Sequence, residues 1–92
     1  MNKDLGIRIV DNNIIMNERD VLLVCNSTVA FNVKLPRASG SGIIYFLKNI
    51  NTGTITVLPD CVDTVDYYTS LTLFQWDGAS IIDYAVGKWL KL

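Results

Sequence analysis

The chain has 92 residues, 8 basic and 9 acidic side chains, and a formal charge of −1. That length holds one core, and the balanced charge gives no electrostatic reason to expect nucleic acid or an anionic membrane as partner. Half of the residues are hydrophobic, but the longest apolar runs, Val21–Cys25 and Ile43–Leu47, are far too short to cross a bilayer, so no membrane insertion is expected. Gly6 and Arg8 interrupt the first apolar residues, Leu5, Ile7, Ile9 and Val10, so no continuous leader segment is expected.

The composition favours strands. Val, Ile and Thr dominate, joined by 3 Phe, 2 Trp and 4 Tyr, and these side chains fit a pleated surface. Glu and Gln occur once each, so good helix formers other than Leu are scarce. There is no histidine, which excludes Ser-His and Cys-His catalysis and histidine-based zinc sites. The two cysteines, Cys25 and Cys61, cannot build a four-cysteine metal centre, and no cofactor is expected. Without a leader segment, both thiols are expected to be reduced.

Taken in chain order, Met1–Glu18 comes first. It holds Leu5–Val10, then Asp11-Asn12-Asn13, then Ile14-Ile15-Met16. Two readings fit: a strand, an Asn-rich turn and a second strand, or an extended arm lying on a neighbour. From Asp20 the strand signals strengthen. Val21–Cys25 is apolar throughout, and Asn26-Ser27 is a turn. In Thr28–Leu35, Val29, Phe31, Val33 and Leu35 fall on one face, and Pro36 ends the strand. Arg37–Gly42 reads as a flexible loop.

Ile43–Ile50 is a strand apolar on both faces, Asn51-Thr52-Gly53 a tight turn with Gly53 free to take positive φ, and Thr54–Leu58 an alternating strand closed by Pro59. These two strands are expected to form a hairpin. Asp60–Asp66 is a loop or a short edge turn. Leu71–Trp76 and Ser80–Ala85 are strands joined by an Asp77-Gly78 hairpin turn, and Trp89–Leu92 is a last short strand. The expected fold is all-β, a small antiparallel sandwich or barrel of six to seven short strands. Residues 20–92 would form the domain, and residues 1–19 the arm or strand pair.

Several segments, in this order, carry a likeness to a known family. They are Phe31-Asn32-Val33-Lys34-Leu35-Pro36-Arg37-Ala38-Ser39-Gly40, Ile44-Tyr45-Phe46-Leu47-Lys48-Asn49, Gly53-Thr54-Ile55-Thr56-Val57-Leu58-Pro59, Asp63-Thr64-Val65-Asp66 and Gly87-Lys88-Trp89. Residues 20–92 thus resemble the small β-rich repeat of tail-fibre, head-fibre and related virion proteins of tailed bacteriophages and prophages. The family's Asp-Gly turn before the final Trp is replaced by Val86-Gly87-Lys88, and Asp77-Gly78 lies one strand earlier. The resemblance implies a homotrimer located in the virion and made in the host cytoplasm. A chain of this size is closest in kind to a head fibre, a capsid decoration protein or a short baseplate component. Its partners would be copies of itself and a capsid or tail protein.

Candidate chemistry is sparse. Asp60, Asp63 and Asp66 invite a calcium reading, but the spacing lacks the EF-hand ladder and suits a polar turn, with Asp63 and Asp66 bonding nearby backbone. Ser39-Gly40-Ser41-Gly42 lacks the Gly-Lys-Ser/Thr and helix of a phosphate cradle. Nothing in the sequence brings Ser39 or Ser41 to Lys48 as a nucleophile pair. Tyr67, Tyr68, Trp76, Tyr84 and Trp89 have rings that can stack on sugars or fill a core. Of these, Tyr67 and Tyr68 are the candidate contacts to a host surface glycan. If extended, they would point to opposite sides.

The strongest signal is apolar excess. One thin sandwich covers one face of Val21–Cys25 and of Ile43–Leu47, and the other faces need another chain. Leu5, Ile7, Ile9, Ile14, Ile15 and Met16 likewise need a surface to lie on, and are the candidate partner interface. The expected function is therefore non-enzymatic: oligomerisation and docking on a larger particle. A carbohydrate- or receptor-binding module is the alternative.

Overall fold

In the computed structural model, residues 6–92 are described. They form ten strands and no helix: β1 (Ile7–Val10), β2 (Ile14–Ile15), β3 (Leu22–Cys25), β4 (Phe31–Lys34), β5 (Ile44–Asn49), β6 (Ile55–Leu58), β7 (Thr64–Val65), β8 (Leu71–Leu73), β9 (Gly78–Ala85) and β10 (Lys88–Lys91). A six-stranded sheet runs β1-β3-β5-β9-β10-β7, and a four-stranded sheet runs β2-β4-β6-β8. Their inner faces share one core, in a body measuring 33 × 32 × 20 Å, as two packed layers require.

The all-β expectation holds, but the antiparallel one does not. β1, β3 and β5 are parallel neighbours in one sheet, and β2, β4 and β6 in the other. β7 also pairs parallel with β10. Only β5–β9, β9–β10 and β6–β8 are antiparallel. The chain therefore coils. It lays a strand in the large sheet, turns a corner, lays a strand in the small sheet, returns, and repeats one level along. Leu22 pairs with Phe46 and Phe31 with Ile55, the same sequence offset in both sheets. β8, β9 and β10 then close the coil with antiparallel pairings.

Two expected hairpins are corrected by this path. β5 and β6 lie in different sheets, so Asn51-Thr52-Gly53 is a corner and not a hairpin turn. β8 and β9 also lie in different sheets, and Asp77-Gly78 joins them across the edge. Gly53 is not among the positive-φ residues. It is needed because the preceding corner packs on it: an added Cβ would collide with the carbonyl of Val29. The Gly53 N–H donates to Ser27 O at 2.9 Å, and Asn51 Nδ2 donates to Asn26 Oδ1 at 2.9 Å, so successive corners stack by hydrogen bonds.

Asn49 pins the same corner from inside. It is fully buried, and its Nδ2 donates to Gly53 O at 2.9 Å and to Leu73 O at 3.0 Å. Its Oδ1 accepts Asn51 N–H. A buried amide with its bonds made ties the two sheets together at modest net cost.

The core follows the alternation. Leu23, Cys25, Tyr45, Leu47, Ile81 and Trp89 come from the large sheet, and Phe31, Val33, Leu35, Ile55, Val57 and Leu73 lie on or next to the small one. Tyr45 and Trp89 stack with centroids 5.6 Å apart, and Tyr45 Oη donates to Asn17 O. Val29, expected on the same face as Phe31, is instead exposed, because it sits in the corner before β4 begins.

Residues 7–10 and 14–15 are edge strands of different sheets, pairing with β3 and β4 respectively and not with each other as a hairpin would. Met16 is buried in the core, and Arg8 reaches the buried Asp20 at 2.8 Å. Both cysteines are free, Cys25 buried and Cys61 exposed.

Candidate functional site

Residues opposite one another in a sheet share a face, so the register identifies what each surface presents. On the outer face of the large sheet, Ile7, Leu22, Phe46 and Ser80 are in line, followed by Ile9, Val24, Lys48 and Gly78. Ile44 and Ile82 form the row on the other side. Ile7 is 59% exposed, Ile9 68% and Phe46 47%. A shallow groove crosses this face between Leu22, Phe46, Ser80 and Leu92. The outer face of the small sheet differs: Asn32, Thr56 and Thr72 form its central row, and Lys34 lies beside Ile15 and Leu58. The two outer faces thus differ along their central rows, apolar on the large sheet and polar on the small one, with Ile15 and Leu58 at the side of the small sheet.

The six candidate interface residues separate on this frame. Ile7 and Ile9 belong to the apolar face, and Ile15 is exposed on the opposite sheet. Ile14 is half-buried against the core, and Met16 is inside it, unavailable to a partner. Leu5 lies outside the described residues. Sequence reasoning passed over Leu22, Val24 and Ile44 as individual interface residues. Their signal was present as the second faces of the two doubly apolar runs.

Tyr67 and Tyr68 are not in an extended strand. They belong to a tight turn in which Val65 N–H donates to Tyr68 O and Tyr68 N–H to Val65 O, both at 2.8 Å. Asp66 (φ 51°) and Tyr67 (φ 68°) are both left-handed. Both rings are exposed, and they do not divide between a buried and a solvent side. Lys88 Nζ lies 5.7 Å from the Tyr67 ring centroid. Interaction with the nearby Tyr67 phenol, then desolvation, then the charges of Tyr67 and Asp66 push the Tyr84 phenol up. Trp89, by contrast, is core, and its Nε1–H has no acceptor among the described residues.

The acidic residues do not converge. Asp60 pairs with Lys34 at 3.3 Å. Asp63 Oδ2 accepts Ala38 N–H and Asp66 Oδ1 accepts Lys91 N–H, each a partner distant in sequence and not the nearby backbone expected. No group of three metal-ligating side chains occurs among the described residues.

The 37–42 segment, expected to be a flexible loop, is instead latched. The buried Asp83 carboxylate accepts the N–H groups of Ser39, Gly40 and Ser41 and the hydroxyls of Ser39 and Ser41, at 2.7 to 3.3 Å. Burial pushes this carboxyl up, but the donors outweigh it and hold its pKa below the usual value. Neither Ser39 nor Ser41 meets Lys48, whose Nζ bonds Trp76 O.

No protein-family model, curated protein or solved structure matches the chain.

Proposed function

We propose that the protein is a non-enzymatic structural module that assembles with copies of itself through the outer face of its six-stranded sheet. The carrying observation is the line Ile7–Leu22–Phe46 with Ile9, Val24 and Ile44 beside it, whereas the central row of the other sheet's outer face is the polar Asn32–Thr56–Thr72. Covering apolar area is worth ~25 cal/mol per Å², and contiguous patches of this kind mark association surfaces. The sequence resemblance supports a homotrimer in a phage or prophage virion, such as a head fibre, a capsid decoration protein or a short tail component. In that setting the module also docks on a capsid or tail protein. Phe46→Glu should keep the fold, since this ring points outward, and should dissociate the assembly. Light scattering showing an unchanged mass for that variant would refute the interface.

A second reading, saccharide binding, is favoured by one separate observation. Tyr67 is an exposed aromatic residue in a left-handed conformation that adds nothing to the core.

A further inference from the structure

The Val65–Tyr68 turn has two left-handed central residues, a geometry for which Asn-Gly is preferred. A bulky residue at the second position is an outlier and costs stability. Tyr67 is 74% exposed, so burial does not offset that cost. Trp76 is also left-handed and exposed, but its N–H bonds Asn49 O, its carbonyl bonds Lys48 Nζ, and it ends a corner. Tyr67 instead stands where several polar groups converge. Lys88 Nζ is 5.7 Å from its ring centroid, the Tyr84 phenol is near enough to interact with it, and Asp66 precedes it in the chain. Strain held at an exposed residue beside such groups points to a ligand.

We propose that Asp66, Tyr67, Tyr84 and Lys88 form a binding site for a neutral hexose unit of a polysaccharide. A hexose has an apolar C–H face and hydroxyl edges. The C–H face stacks on the Tyr67 ring. Asp66 Oδ1 is held by Lys91 N–H, which orients the carboxylate, and Oδ2 accepts from a sugar hydroxyl. The Tyr84 hydroxyl and the Lys88 ammonium serve the remaining hydroxyls. One carboxylate and one ammonium leave the site without net charge, which matches a neutral sugar better than an acidic one. This inference deepens the saccharide reading and does not depend on the self-association reading.

The test uses the full chain with methyl glucoside, methyl galactoside and methyl mannoside, each titrated to tens of millimolar and followed by amide NMR shifts. At least one glycoside should move the Asp66, Tyr67 and Lys88 amides and leave the Phe46 face unmoved. Tyr67→Gly should abolish those shifts while raising the thermal midpoint by ~2–4 °C, because glycine suits the left-handed position. Tyr84→Phe should weaken binding severalfold without unfolding. Three results would each overturn the proposal: no glycoside moves these amides, Tyr67→Gly still binds, or Tyr67→Gly lowers the midpoint. Sedimentation of the same samples reports on self-association separately, so failure of one reading is not failure of the other.

Discussion

Asp83 shows how much a single side chain holds in this molecule. Its carboxylate takes five donors from Ser39, Gly40 and Ser41, and so ties a glycine-rich segment to β9. Asp83→Asn removes the charge from these bonds and should cost ~1.5–3 kcal/mol in urea unfolding at neutral pH. The pH dependence has a definite sign. The folded-state pKa lies below the unfolded value, so the stabilisation is complete above the unfolded carboxyl pKa and is lost as pH falls through the folded one. The wild type should therefore lose stability below about pH 4, and the Asn variant should show a shallower acid limb. A variant with the same acid slope as the wild type would assign that slope to other carboxyls. The two thiols separate just as clearly. Burial pushes Cys25 up to about 11, whereas Cys61 is exposed. Titration with a thiol reagent at mild alkaline pH should modify one cysteine quickly and the second only on unfolding. Two fast equivalents would contradict the buried position of Cys25. At this scale the sequence was a partial guide: Cys25 in an apolar run reads as core, but nothing near Asp83 in sequence announces its partners, which lie more than forty residues upstream.

At the scale of elements, strands were legible and their pairing was not. Alternation in Phe31–Lys34 and Ile55–Leu58 places Phe31, Val33, Ile55 and Val57 inside, as observed. Pairing was misassigned because short polar turns normally join antiparallel neighbours, whereas here Asn51-Thr52-Gly53 carries the chain from one sheet to the other. The available signal was a repeat. An apolar strand, a polar corner and an alternating strand occur in Leu22–Lys34 and again in Phe46–Leu58, at the offset the pairing shows. Gly53 tests this coil. If stacked corners require it, Gly53→Ala should destabilise by ~1–3 kcal/mol, from the collision with the Val29 carbonyl. In an isolated hairpin turn free of that neighbour, alanine at this non-positive φ would be nearly neutral. Chemical denaturation of the single variant distinguishes the two.

At the scale of the whole molecule, the two outer faces differ in chemistry, and that difference carries the account. The apolar excess in Val21–Cys25 and Ile43–Leu47 was visible in sequence. What the sequence did not show was that the coil sets the outward sides of both runs next to each other, with Ile7 and Ile9 extending the surface. Alternation says which side of a strand is outward, and only the register says which outward sides meet. Sedimentation equilibrium of the full chain at micromolar concentration tests self-association most directly. The account predicts a mass that is a multiple of the 10.3 kDa chain, threefold for the expected trimer, and a return to the single-chain mass for Phe46→Glu. A wild-type protein sedimenting at 10.3 kDa would contradict it.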